Sequence, residues 1–190
     1  MSLEIVQFPC LSDNYGFLVH DPDSGLTACV DTPDAAEISR VLEDKGWTLN
    51  HIWNTHHHWD HTGGNAALFE TYGCEITGPG HDAARIPGIH TGVRGGDRFQ
   101  FGAYQVEVLE TPGHTLGHIV FYLPEAQAAF VGDTVFALGC GRLFEGTPEQ
   151  MFESFEKIKA LPPQTKLYCA HEYTLANARF ALTVEEGNPA

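Results

Sequence analysis

Between Thr55 and Gly64 the chain reads Thr-His-His-His-Trp-Asp-His-Thr-Gly-Gly, with four histidines and one aspartate in positions 56–61. Imidazole and carboxylate packed that densely cannot serve as core, because buried polar groups need partners that a short loop does not supply. Metal ions are the natural partner, so any fold for this chain must place the run where further ligands reach it. The residues before it, 49–54, are apolar and aromatic enough for a strand, while Gly63-Gly64 opens a helical stretch, 65–72, that Gly73 stops. The run therefore falls at a strand end.

Side-chain direction divides the run. If the chain stays extended from Thr55 to His58, His56 and His58 share a face and His57 points away. Asp60 and His61 follow after the chain turns, and the two glycines are expected to bend it sharply toward a neighbouring position. Two pairs of donors are too few for closed sites, so more imidazole or carboxylate must come from further along.

The chain before and after the run reads as alternating sheet and helix. Strands are expected at 3–8, 15–20 and 26–31, with a helix from Asp34, its N-cap, to Lys45, stopped by Gly46. A strand at 75–77 follows the short helix, and 78–96, rich in Gly, Pro and His, reads as loop with one helical turn near 82–85. Strands return at 97–101, 104–111, 118–123 and 128–132. A helix then starts around Thr147-Pro148 with Phe152, Phe155 and Ile158 on one stripe, and a strand at 166–170 and a helix at 175–184 close the chain. Two strand-rich halves with helices between them suggest an α/β fold of two face-to-face sheets with helices outside. At 190 residues one domain, 1–190, is expected.

The missing donors have candidates at strand ends of the second half. Pro112-Gly113 turns the chain so that a loop presents His114, whereas His118 starts the next strand and reads as a supporting or packing residue. Asp133 follows the apolar run 128–131, and His171 ends the short strand before it. With His56, His58 and His114 around one ion, Asp60, His61 and His171 around another, and Asp133 bridging, each metal has four protein ligands and room for a shared water. His20, His51, His57, His81 and His90 are left as surface or packing residues.

The formal charge of -15, with ten Lys and Arg, offers no footprint for phosphate backbones or anionic lipid, so neither nucleic acid nor membrane is an expected partner. Five scattered cysteines without a paired spacing read as reduced, buried thiols. No signal-like segment opens the chain, and no apolar run approaches the roughly 20 residues a bilayer span needs, which points to the cytoplasm. A monomer or weak oligomer is expected.

The T-H-x-H-x-D-H run at 55–61, T-P-G-H-T at 111–115, G-D-T at 132–134 and H-E-Y-T at 171–174 resemble the metallo-β-lactamase superfamily. Within it, Asp13-Asn14-Tyr15, the Gly139-Cys140-Gly141-Arg142 loop and Glu145-Gly146-Thr147 look like glyoxalase II, the hydroxyacylglutathione hydrolases. The resemblance implies a four-layer αββα sandwich and two divalent ions, zinc foremost with iron or manganese as alternatives. It also implies hydrolysis of a glutathione thioester, typically S-D-lactoylglutathione to D-lactate and glutathione in methylglyoxal detoxification. Asp60 and Asp133 would hold the attacking hydroxide, and glutathione contacts would fall on Arg142, Phe144 and Tyr173. Phe144 stands where animal members have tyrosine, which removes one hydroxyl contact. The family continues into a helical lobe with further basic contacts, whereas this chain stops at Gly187-Asn188-Pro189-Ala190, so that lobe is expected to be absent or cut short. A lactonase, a β-lactamase or another thioesterase would share the metals and differ in the pocket. A non-hydrolytic di-iron redox module fits less well, because such relatives usually carry Glu where His58 stands.

Overall fold

The structure is a computed structural model and describes residues 2–185 and residue 187. Strands β1 (Glu4–Cys10), β2 (Asn14–Asp21) and β3 (Leu26–Val30) form an antiparallel meander. Helix α1 (Ala35–Lys45) crosses over to β4 (His51–Trp53), which lies parallel to β3. The one-turn helix α2 (Trp59–Thr62) and α3 (Asn65–Tyr72) lead to β5 (Glu75–Pro79), and a 3-10 segment (Gly80–Arg85) to β6 (Thr91–Val93). These strands make a six-stranded sheet in chain order. The second sheet contains β7 (Arg98–Phe101), β8 (Tyr104–Glu110), β9 (Ile119–Leu123), β10 (Ala128–Gly132) and β11 (Lys166–Cys169), in the order β11-β10-β9-β8-β7. Helix α4 (Pro148–Lys159) joins β10 to β11, and α5 (Thr174–Val184) follows.

Three buried clusters define the layers. Phe17, Val19, Val30 and Trp53 of the first sheet meet Phe101, Val108, Phe121 and Phe130 of the second. The outer face of the first sheet packs Leu18, Cys29, Ile52 and Ile76 on Ile38, Val41 and Leu42 of α1 and Leu68 of α3. That of the second packs Val120, Tyr122 and Val131 on Ile158 of α4. The result is helix, sheet, sheet, helix, as the resemblance implies. Strand β9 is buried on both faces, which explains its unbroken Ile-Val-Phe-Tyr-Leu. Each large apolar side chain buried here contributes about 1.5–3 kcal/mol by the usual area relation, and Phe121→Ala would cost about 3–5 kcal/mol.

Local chemistry sets the helix ends. Asp34 caps α1 by accepting from the amides of Ala36 and Glu37, and Gly46 ends it in the left-handed region at φ 68. Thr147 and Gln150 close a reciprocal capping box on α4.

The secondary-structure elements depart from the sequence reading in three places. Phe152 is 63% exposed, and the buried stripe of α4 is Met151, Ser154 and Ile158. Ser154 is tolerated there because its hydroxyl donates to the carbonyls of Pro112 and Gln150. Strand β6 lies inside the stretch expected to be loop, its three residues too few for alternation to register. Gly63 and Gly64 do not bend the chain into an unusual conformation, since both are right-handed at φ -61 and -83. Gly64 is needed for closeness instead: a Cβ there would lie 2.8 Å from the Thr32 carbonyl oxygen.

Strands β3, β4, β8, β10 and β11 all deliver their C-terminal ends to one rim of the sandwich, where the β1–β2 turn also lies. A bridge between Asn14 and His171, and the Ile119 amide donating to the Thr55 carbonyl, tie the two sheets together there. None of the described helices is long and apolar enough to cross a membrane.

Candidate metal centre

All seven donors expected from the sequence meet at this rim. His56 follows β4 in a bend, and His58 sits in extended backbone as the N-cap of α2, whose single turn carries Asp60 and His61. Although the strand ends at Trp53, the rings of His56 and His58 still converge, with His56 Nε2 3.0 Å from His58 Nδ1. His114 Nε2 lies 3.0 Å from the same His58 nitrogen. On the other side, His61 Nε2 and His171 Nε2 each lie 3.6 Å from Asp60 Oδ2. Asp133 stands between the two sets, one oxygen 3.3 Å from His114 Nε2 and the other 3.3 Å from both His61 Nε2 and His171 Nε2. Gly132 makes that placement possible: it holds φ 50, and a Cβ on it would lie 2.6 Å from His118 Nε2 and 2.7 Å from Thr55 Oγ1.

Hydrogen bonds behind the rings decide what the facing nitrogens carry. His61 Nδ1 is 2.8 Å from Asp31 Oδ2, His171 Nδ1 2.9 Å from Asp13 Oδ1, and His114 Nδ1 2.8 Å from the Arg142 carbonyl. Each of these acceptors requires the proton on Nδ1, which leaves Nε2 a bare lone pair in the neutral ring. Thr55 Oγ1 donates to Asp31 and so accepts from His56 Nδ1 at 3.1 Å, with the same consequence. His61 Nε2 and Asp133 Oδ1 are buried without a hydrogen-bond partner. Lone pairs of four imidazoles and an ionised carboxylate aimed at one another repel unless a cation lies between them, so the residues fit divalent metal. Three overlapping groups, His56/His58/His114, His56/His61/Asp133 and Asp60/His61/His171, each bring their donor atoms within 4.8 Å of one another. That is a donor set for two ions, all nitrogen and oxygen.

The electrostatics divide the rings into two sets. Burial pushes His56 well below the ordinary imidazole value, His58 to about 4, and His114 downward. For His61 and His171 burial acts the same way, but the Asp133 carboxylate outweighs it, with Asp31 and Asp13 assisting, so both are raised. Asp133 is held well below the usual carboxylate range, the surrounding imidazoles overcoming its burial.

His118 is fully buried and uses both nitrogens, Nδ1 on Thr111 and Thr134 and Nε2 accepting from the Asp133 amide. It positions Asp133 and is not free to face an ion. Sequence reasoning missed Asp31 and left Asp13 in a motif without a role. Asp31 sits at φ 55, unusual for a non-glycine residue, and is held there by Thr55 and His61.

A cavity of about 690 Å³ opens over the centre, with Trp59, Phe136, Cys140, Arg142, Phe144 and Tyr173 among its walls. Phe144, 63% exposed, stands edge-on to His58 and His114, and Tyr173 stacks on His171. Cys140 is exposed on this wall, contrary to the expectation of buried thiols; Cys10, Cys29 and Cys74 are buried, Cys169 is partly so, and all five are unpaired.

This architecture and donor set define a class, and the chain belongs to the metallo-beta-lactamase superfamily, whose model matches residues 23–171, and within it to the hydroxyacylglutathione hydrolase family. The hydroxyacylglutathione hydrolases of Brucella ovis and Hyphomonas neptunium are 60% and 57% identical to it over 188 residues, 99% of this chain and 73% of each relative. TTHA1623, solved in a di-iron-bound form, superposes with a TM-score of 0.73 at 26% identity, covering 89% of this chain and 92% of that one.

Proposed function

We propose that the chain hydrolyses glutathione thioesters, S-D-lactoylglutathione foremost, to a hydroxy acid and glutathione, using two divalent ions held by His56, His58 and His114, by Asp60, His61 and His171, and by Asp133 between them. The observation that carries the reading is the cavity: its floor is the converging donor set, and its walls carry Arg142, Phe144 and Tyr173. Ions bound there would supply Lewis acidity, polarising an acyl carbonyl and lowering the pKa of water from about 16 to about 7. The chain's own groups do the rest. Asp60 and Asp133 present carboxylates that orient a nucleophilic oxygen, and the exposed Arg142 guanidinium attracts the carboxylates of the glutathione portion. Phe144 and Trp59 give the cavity mouth two apolar surfaces, and Tyr173, hydrogen-bonded through its hydroxyl to Asp13, fixes the wall beside His171. The names of the 57–60% identical relatives support the substrate class. Zinc is the ion we assign, with iron or manganese as alternatives that the same nitrogen and oxygen donors accept.

Thiol release from S-D-lactoylglutathione by zinc-reconstituted protein, measured beside a lactone and a β-lactam, tests the proposal. The thioester should be turned over with by far the largest kcat/KM. Faster turnover of the lactone or the β-lactam would sink it.

A further inference from the structure

Beside the metal centre lies a second polar cluster that the proposed chemistry does not use. Asp82, in the 3-10 segment, is 1% exposed and its carboxylate meets His57 Nδ1 at 3.0 Å, His81 Nδ1 at 2.9 Å and Arg85 Nη2 at 2.5 Å. It also lies against Gly117, where any Cβ would collide with the carboxylate. Arg85 reaches onward to Glu145 at two points, Nη1 to Oε1 at 2.5 Å and Nη2 to Oε2 at 3.3 Å. Glu145 Oε2 in turn accepts from the Leu116 amide at 2.8 Å. Glu145 follows Phe144 directly, and this stretch is already laid on the His114 loop by the Phe144 amide donating to the His114 carbonyl and the Gly146 amide to that of Gly113. One guanidinium thus joins three segments: the histidine run through Asp82 and His57, the His114 loop through Glu145, and loop 139–147, which carries Arg142 and Phe144.

We propose that Arg85 is a positioning residue whose fork on Asp82 and Glu145 clamps loop 139–147 against the His114 loop, holding the substrate-side wall of the cavity in place. Planar, two-point pairing of a guanidinium with a carboxylate fixes orientation as well as distance, which a lysine could not do. Arg85 holds the Glu145 carboxyl down at about 2, so the pair is charged at neutral pH. The clamp touches no candidate metal donor, so its loss should loosen the wall without emptying the centre.

Only the kinetic arm of the test rests on the proposed substrate. In Arg85→Gln, KM for S-D-lactoylglutathione should rise about tenfold, in line with the loss of a charge-assisted pair, with kcat and bound metal close to the parent's. The amides of Leu116, Phe144 and Gly146 should exchange with solvent faster. Glu145→Gln should behave alike and carries the test if Arg85→Gln does not fold. Parental KM and exchange in the single variants, or a fall in kcat that tracks metal loss, would overturn the proposal. If the parent releases no thiol from the thioester, the substrate reading fails, while the exchange comparison still decides on Arg85.

Discussion

Behind His56 and His114 stand a threonine hydroxyl and a peptide carbonyl; behind His61 and His171 stand the carboxylates of Asp31 and Asp13. The two halves of the candidate centre therefore differ in what backs the donors. They differ in the donors too, because the first half is imidazole throughout apart from the shared Asp133, whereas the second adds Asp60. A carboxylate behind an imidazole N–H draws its proton and raises the basicity of the facing nitrogen. A half so backed and richer in carboxylate should hold metal more tightly, so apoprotein given one equivalent should fill the second half first, and oxygen-preferring ions such as manganese should favour it.

The widest blow to this contrast would come from the residue both halves share. Asp133→Ala removes the carboxylate that faces His114 on one side and His61 and His171 on the other. Both ions should be lost or weakened, and kcat/KM on the thioester should fall about 10³-fold or more, given what metal contributes to hydrolysis. Metal content and turnover measured on the same preparation check this. An Asp133→Ala protein that keeps two ions would show that the halves are independent.

Asp31→Asn separates them. Asparagine tolerates positive φ, so the φ 55 backbone is not newly strained, and its side-chain oxygen can still accept from His61. The negative charge behind His61 is removed, together with the acceptor of the Thr55 amide, which Asp31 Oδ1 provides. Affinity at the second half should fall about 10- to 100-fold, the usual cost of altering such a partner, while the first half, reached only through Thr55 behind His56, should fall less. A chelator titration resolves the two ions, and equal weakening of both would remove the distinction.

The donors were legible in the sequence because polar residues at the ends of apolar strands have few other uses. His56 to His61 announce themselves by density, and Asp133 and His171 by ending short apolar strands. Asp31 obeys the same rule, since Val30-Asp31-Thr32 ends β3 as Gly132-Asp133-Thr134 ends β10, and that parallel was the clue available. Asp13 offers no such pattern; its role exists only because the β1–β2 turn is folded onto the rim beside His171. The layers were readable from periodicity, but the face of α4 was not, since Ser154 is buried by hydrogen bonds that no hydrophobic pattern reports. The Arg85 clamp joins residues 60 positions apart and depends on through-space packing of loops whose composition reads as ordinary surface.

The smallest expected effect falls on the first half's wall. Phe144 stands edge-on to His58 and His114 with its ring largely in solvent, so Phe144→Tyr adds a hydroxyl at the cavity mouth without disturbing a packed core. One neutral hydrogen bond to the glutathione portion is worth about 0.5–1.5 kcal/mol, which lowers KM roughly two- to tenfold. Because the ring is not among the candidate donors, kcat and metal content should stay where they were. A kcat/KM gain residing entirely in KM would place Phe144 on the substrate's non-reacting portion. A change in kcat would instead mean that the aromatic edge against His58 and His114 tunes the first half itself, and the contrast between the halves would then extend beyond the groups behind the rings to those in front.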